Sequence, residues 1–166
     1  MKIEDKVIVV TGAGSGMGRE IALQMADRGA IIAAVDLDEE ALEQTKIMAT
    51  RNVETFVLDV TSQSSVKALP KKVVAEFDHV DGLINNAGII QPFVKISELT
   101  REQAEKVMDV NFWGVFDLTK AFLPELAKRP EAHIMNISSM GAYAPVPGQS
   151  LYGASKAAVK LFTEGL

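Results

Sequence analysis

Thr11-Gly12-Ala13-Gly14-Ser15-Gly16-Met17-Gly18 stands between a β-branched run, Val7–Val10, and a stretch in which Met17, Ile21 and Met25 recur at every fourth position. The first pattern is that of a strand and the second that of a helix. Glycines at such a junction let the backbone turn sharply and approach a phosphate closely, and the helix N-terminus adds unpaired N–H groups and the positive end of its dipole. Tight turns need glycine as well, so it is the strand–turn–helix setting that gives the stretch its meaning. The next strand, Ile31–Asp36, ends on an acid about twenty residues after the glycines. In a dinucleotide fold an acid there hydrogen-bonds the adenosine ribose hydroxyls and repels a 2′-phosphate. The bland alternative is that Asp36-Leu37-Asp38 only caps the following helix. Ser15, not a cation, precedes Gly16, so the pattern favours NAD over NADP.

Outward from this turn, short β-branched runs keep alternating with longer amphipathic stretches, the pattern of an α/β protein with a doubly wound parallel sheet. Further strands are expected at Val53–Val60, Val80–Asn85 and His133–Ser138. These runs are apolar instead of alternating, as strands covered by helices on both faces should be. The first helix should begin near Gly16 and stop at Gly29, a suitable C′ residue. A second carries Ala41, Leu42, Thr45, Met48 and Ala49 on one face, and a third follows Thr61 with Val66, Leu69, Val73, Val74 and Phe77 at helical spacing. Pro70 should kink that third helix, because it removes a donor and crowds the carbonyl of Val66. Thr100 with Gln103 reads as a capping box opening a short helix that leads toward Val110–Lys128, where Pro124 should bend or break the pattern. Tyr152–Leu166 is the final helical stretch. With no repeat, linker or low-complexity segment, residues 1–166 read as a single domain.

Composition narrows the functional classes. The 166 residues are 48% hydrophobic and 23% charged, with a net charge of −5 and no cysteine. That is too apolar for a disordered chain, and the longest apolar run, Ala30–Val35, is far too short to span a bilayer. A charged start and only four apolar residues after it give no signal peptide. Without cysteine there is no disulfide or thiolate chemistry, and a reducing cytoplasm is the expected location. Scattered charge with a net negative sign argues against nucleic-acid binding, since Lys71-Lys72 is too small for a basic patch. His79 and His133 lack metal-ligand spacing, so no metal is expected.

Tyr152-Gly153-Ala154-Ser155-Lys156 places a phenol and an ammonium on one helix face, one turn apart. A free tyrosine has a pKa near 10, so only about 0.1% is ionised at neutral pH. A neighbouring Lys⁺ stabilises phenolate, which turns a tyrosine into a usable general acid and base. A surface tyrosine beside a solvated lysine is the alternative. Tyr143 has Pro147 at the same offset and could not be tuned in this way. Ser139 lies at the end of the His133–Ser138 strand, on the carboxyl edge where ligands bind in such sheets, and could donate to a carbonyl oxygen. Ser138 is its rival for that role, and either could be a turn serine.

Taken together, the Thr11–Gly18 turn, Asp59-Val60, Asn85-Asn86-Ala87-Gly88, Asn111, Asn136-Ile137-Ser138-Ser139 and Tyr152-Gly153-Ala154-Ser155-Lys156 resemble the short-chain dehydrogenase/reductase family, in family order along nearly the whole chain. The resemblance implies a Rossmann-like fold and hydride transfer between a nicotinamide and an alcohol or carbonyl carbon. It implies that Tyr152 is the acid/base, that Lys156 lowers its pKa and holds the nicotinamide ribose, and that Ser139, thirteen residues before the tyrosine, orients the substrate carbonyl. Asn111 would kink its helix and support a water linking Lys156 to solvent. Gly12, Ser15, Gly16 and Met17 would line the pyrophosphate and ribose, Asp36 the adenosine ribose, Asp59 and Val60 the adenine, and Asn86 the region near the nicotinamide ribose. The family's strand order implies 3-2-1-4-5 here, with its strands 6 and 7 and its substrate lid absent. The fifth strand would then be an uncovered apolar edge, and a nucleotide-binding fragment without turnover is the alternative function. A homo-oligomer is expected through the Val107–Lys128 and Tyr152–Leu166 helices.

Overall fold

Strand β1 (Val7–Thr11) is buried along its whole length at the centre of a parallel sheet in the computed structural model, which describes residues 2–49 and 52–166. Its neighbours are β2 (Ile31–Asp36) and β4 (Gly82–Asn85), flanked in turn by β3 (Val53–Val57) and β5 (His133–Asn136), giving the order β3-β2-β1-β4-β5. Registers are continuous across the sheet, with Val7 opposite Ile31, Ile32 opposite Val53, Ile8 opposite Gly82 and Gly82 opposite His133. The strands β3, β4 and β5 are shorter than the apolar runs that signal them.

Side chains alternate across a strand, so the unbroken apolar runs supply two cores. Val7, Val9, Ala33, Val35 and Leu83 face one way, onto Leu69 and Val73 of α3 (Gln63–Phe77) and Leu118 and Phe122 of α5 (Gly114–Leu126). Ile8, Val10, Ile32 and Ala34 face the other way, onto Ala22 and Ala26 of α1 (Gly16–Asp27) and Leu42 of α2 (Glu39–Met48). Small residues on α1 let that helix lie close to the sheet and so set the depth of the glycine turn before it.

Helix boundaries follow local chemistry. Gly29 takes φ +91° just past α1, a conformation open to glycine at little cost. Asp38 caps α2 by accepting the Ala41 N–H at 3.0 Å, and Glu39 and Glu40 suit the positive end of the dipole. Thr100 and Gln103 form the expected reciprocal box at the start of α4 (Arg101–Met108), with bonds of 3.2 and 3.0 Å. A π-helical turn, Asp109–Trp113, then joins α4 to α5.

Prolines, helix bounds and the sheet edge show where local patterns and the fold differ. α3 continues through Pro70, which is buried beside Val66, Leu69 and Val73, so that packing onto the sheet offsets the lost bond. α5 likewise passes through Pro124 and ends two residues later, so the missing donor falls in its last turn. Met48 is 55% exposed and drops out of the expected face, and this end of the fold closes over the sheet through Leu42 and Thr45 with Ala49 packed beside them. The final helix, α6, spans Ser150–Glu164, two residues earlier at each end than its apolar spacing suggests. At the sheet's far side β5 alternates exposed and half-buried residues, with Met135 53% exposed. That edge is open, as expected, but half polar instead of uniformly apolar. All five strands end toward the same side, and there the loops after Thr11, Asp36, Val57, Asn85 and Asn136 meet.

Candidate functional site

The glycine turn is held from beneath by the end of β4. The Thr11 hydroxyl accepts the N–H groups of Asn86 at 3.0 Å and Ala87 at 3.1 Å, and the Asn86 amide donates to the Thr11 carbonyl at 3.0 Å. Gly18 has no room for a side chain: a Cβ there would lie 2.0 Å from the Gly12 carbonyl oxygen. Gly16 is the reverse case, with φ +51° and nothing within 4 Å of where its Cβ would point. One glycine admits backbone and the other leaves open space at a helix N-terminus, which is the cradle a phosphate needs.

Asp36 closes the adjacent corner. One carboxylate oxygen accepts the Gly14 N–H at 2.9 Å and the other the Asp38 N–H at 3.1 Å, so the acid both shapes the turn and faces the cleft. It is not the cap of α2, a role filled by Asp38. The cleft beyond has a volume of about 860 Å³. Its walls include Gly12, Ser15, Gly16, Met17, Asp36, Asp59, Val60 and Asn86. Every residue expected on the adenosine and pyrophosphate side therefore meets around one space. The glycine cradle and the Asp36 carboxylate fit an adenine dinucleotide.

The second half of the site is assembled from β5, α6 and the π-helical turn. Lys156 on α6 is buried, donates from Nζ to the Ile137 carbonyl at 2.9 Å, and has its pKa lowered by that burial. Tyr152 lies one turn earlier. Its ring and the Ser139 hydroxyl both lie close to Gly141, 3.6 and 3.5 Å from the point where a Cβ there would sit. Ser139 accepts the Gly141 N–H at 3.1 Å, whereas the Ser138 hydroxyl donates to the Lys156 carbonyl at 2.9 Å. Ser138 is thus a tie between β5 and α6, and Ser139 is the serine at the open side. Asn111 sits in the π-helical turn, fully buried, accepting the Ile89 N–H at 2.8 Å and donating to the Ile89 carbonyl at 2.9 Å and to Ser155 Oγ at 3.0 Å. Such turns let one residue leave the regular ladder, and here the residue is Asn111. Lys156 Nζ and Asn111 Oδ1 approach the same point beside Gly88, at 3.2 and 3.3 Å.

Sequence patterns did not single out three residues that support these groups. Arg19, directly after the turn, donates to Thr45 Oγ1 at 3.0 Å, to the Ala41 carbonyl at 3.3 Å and to the Gly14 carbonyl, and so latches the glycine turn onto α2. Thr45 reads as one more member of an apolar face, yet its hydroxyl lies 2.9 Å from the Ala13 carbonyl. Gln91 is buried and bonds to the start of α6. Its partners are some 60 positions away, so only its apolar neighbourhood, Ile89-Ile90, hinted at burial.

Among the described residues no helix is long and apolar enough to cross a membrane. The oxidoreductase SadH of Mycobacterium tuberculosis is 42% identical over 166 residues, covering 98% of this chain and 60% of that protein. The 3-oxoacyl-[acyl-carrier-protein] reductase FabG of Thermotoga maritima is 36% identical over 162 residues, covering 96% of this chain and 65% of its own length. Among solved structures, NAD⁺-bound xylitol dehydrogenase superposes with a TM-score of 0.94 at 32% identity, over 99% of this chain and 65% of that one. The chain thus spans about 60–65% of the length of these relatives. Residues 6–166 match the short chain dehydrogenase family, from the start of β1 through α6, and the chain belongs to that family.

Proposed function

We propose that this chain holds the cofactor and the acid/base machinery of an NAD(H)-dependent dehydrogenase acting on an alcohol or carbonyl substrate. The observations that carry the reading are the approach of Ser139 Oγ and the Tyr152 ring to one point beside Gly141, and the placement of Lys156 one turn later on the same helix, buried and bonded to Ile137. A bound nicotinamide supplies the hydride chemistry, as acceptor or donor. Asp36 accepts hydrogen bonds from the adenosine ribose hydroxyls and opposes a 2′-phosphate by charge. Gly12, Ser15, Gly16 and Met17 take the pyrophosphate and ribose, Asp59 and Val60 the adenine, and Asn86 the region near the nicotinamide ribose.

Ser139 donates to the substrate oxygen, and Tyr152 exchanges a proton with that same oxygen at its phenol. Lys156 carries three N–H donors, one of them on Ile137. Those that remain hold the ribose, and the ammonium favours phenolate at Tyr152. Lys156 Nζ and the Asn111 amide converge beside Gly88, and in this reading a water near them connects Lys156 to solvent. The same reading pairs two copies through α5 and α6, where Phe112, Trp113, Phe116 and Phe162 form an edge-on cluster and Trp113 stays half-exposed.

A second reading, dinucleotide binding without turnover, is favoured by the open β5 edge beside the catalytic half. Calorimetric titration of the chain with NADH and NADPH, followed by assays on an alcohol and ketone panel, separates the two. The first reading expects NADH to bind at least tenfold tighter than NADPH, Asp36→Asn to erase that preference, and Tyr152→Phe to abolish turnover while binding persists. Binding with no turnover on any substrate would establish the second. Binding of neither cofactor would refute both.

A further inference from the structure

We propose that Gln91 is a positioning residue for Tyr152, capping α6 from outside the helix. The proposal rests on the catalytic reading of Tyr152 given above. A helix leaves its first N–H groups without intrahelical partners, and the residue before it normally supplies a side-chain acceptor. The residue before α6 is Gln149, and its side chain makes no such bond. Instead Gln91 Oε1, arriving from the loop after β4, accepts the N–H of Leu151 at 2.7 Å and of Tyr152 at 2.9 Å. The remaining end of the same amide donates to the Gly148 carbonyl at 3.0 Å, and Gln149 returns a bond from its Nε2 to the Gln91 carbonyl at 3.0 Å. Gln91 is 2% exposed, so water cannot stand in for any of these partners.

The consequence is geometric. Tyr152 is one of the two residues whose main chain is gripped, and the segment so gripped leads from Gly148, at φ +79°, directly into the catalytic helix. Asn86, on the cofactor cleft, belongs to the same loop only five residues before Gln91. Gln91 therefore fixes the phenol relative to the loop that lines the cofactor cleft. A neutral amide also leaves the positive end of the helix dipole unneutralised near Tyr152, where a carboxylate would cancel it.

The test compares wild type with Gln91→Met, which removes both donor and acceptor at similar length, and with Gln91→Glu, which keeps an acceptor for the two N–H groups but loses the bond to Gly148. NADH affinity is measured by calorimetry, kcat and KM on the best substrate of the panel, and amide exchange at Leu151 and Tyr152 by NMR. A displacement near 1 Å costs about a hundredfold in rate. Gln91→Met should lower kcat at least tenfold with KM and NADH affinity within threefold, and exchange at the two amides should quicken at least tenfold. Gln91→Glu should recover the protection and more than half of the lost kcat on a logarithmic scale. Unchanged kcat in Gln91→Met, or a parallel fall of kcat and NADH affinity in both variants, would overturn the positioning role. Should Gln91→Met not fold, Gln91→Asn, whose amide is one methylene short of the two N–H groups, takes its place with the same expectations. If wild type binds NADH without turnover, the catalytic reading has failed by itself. The Tyr152 ¹³Cζ resonance of the NADH complex then decides: a shift in Gln91→Met that Gln91→Glu reverses supports positioning, and an unmoved line overturns it.

Discussion

Asp81 lies at the amino-terminal end of the sheet, opposite the glycine turn, and is completely buried. Its Oδ1 accepts from Arg129 Nε at 2.7 Å with Lys6 Nζ 3.7 Å away, and its Oδ2 accepts the Val7 N–H at 3.0 Å with His79 Nε2 at 3.1 Å. Its main chain bonds to Val7 and His133, so one residue stitches β1, β4 and β5 together where they begin. Burial alone would raise its pKa, but the hydrogen bonds from Arg129 and Val7 and the charges of Arg129 and His79 hold the carboxyl below its ordinary 3.8. Asp81→Asn keeps the shape and removes the charge. Breaking a buried pair from one side costs about 3–5 kcal/mol. Lys6, Arg129 and His79 are 27–32% exposed and can turn to water, which selects the lower end, about 3 kcal/mol. In a domain of this size each kcal/mol shifts Tm by roughly 2–4 °C, so Tm should fall by roughly 6–12 °C. The sign with pH is also determined. A carboxyl with a depressed folded pKa contributes stability that is complete above its unfolded value, near 3.8, and is lost as pH falls through the folded value. Urea unfolding followed by circular dichroism at pH 7, repeated down to pH 3, should show the gap between wild type and variant at its full size and then narrowing below about pH 4. A gap under 1 kcal/mol at pH 7, or one that persists unchanged at pH 3, would refute the reasoning.

Gly18→Ala forces a Cβ to within 2.0 Å of the Gly12 carbonyl oxygen and 2.4 Å of Asn86 Nδ2. Overpacking of this kind costs about 1–3 kcal/mol, and the displaced turn should weaken NADH at least tenfold, read by thermal melting and calorimetry. Arg19→Met releases the glycine turn from α2 and should cost about 1 kcal/mol, with NADH affinity falling three- to tenfold in the same titration. Because burial lowers the Lys156 pKa, the folded chain carries that ammonium at a penalty, which is relieved as pH rises from the folded pKa toward 10.5. Thermal melts of the cofactor-free protein should therefore show wild type gaining on Lys156→Met as pH rises between 8 and 10. Native-state hydrogen exchange should find the β1 and β2 amides opening only with global unfolding, while α6 opens locally first; equal protection of both would contradict the contact pattern.

What could be read before any coordinates was what is local in the chain. A strand, a glycine turn, a helix and an acid within thirty residues carry their meaning in order and spacing, and the sheet order followed from the family those motifs resemble. Ser138 and Ser139 could not be told apart as residue types, since both stand just past β5 where the chain enters the following loop. The structure separates them because Ser138 faces α6 and spends its hydroxyl on a carbonyl 18 positions away. Pro70 shows the limit of a local rule: it lacks a donor yet sits inside α3, where burial against the sheet offsets the lost bond. Gln91 and Asp81 were silent for a common reason. Each is a polar residue outside the regular elements whose hydrogen-bond partners lie 48–74 positions away, His79 beside Asp81 excepted, and no short window of sequence contains both ends of such a bond.

The two halves of the site are therefore built on different footings. The adenosine half is walled by loops from β1, β2, β3 and β4, of which only β3 is a sheet edge, and its glycine turn is tied to Asp36, to α2 and to the loop after β4. The catalytic half hangs from β5, an edge strand, and from α6, which reaches the rest of the fold through Gln91, Asn111 with Ser155, Ser138, Lys156 with Ile137, and Asn136 with Thr163. Each of those ties contributes about 1 kcal/mol at most when exposed and more when buried, so α6 is held by a few bonds where β1 is held by a core. Cofactor binding and proton transfer consequently depend on different parts of this chain. A chain that binds NADH and turns over slowly would have its fault in the placement of α6, and the bonds that place it are the ones to alter first.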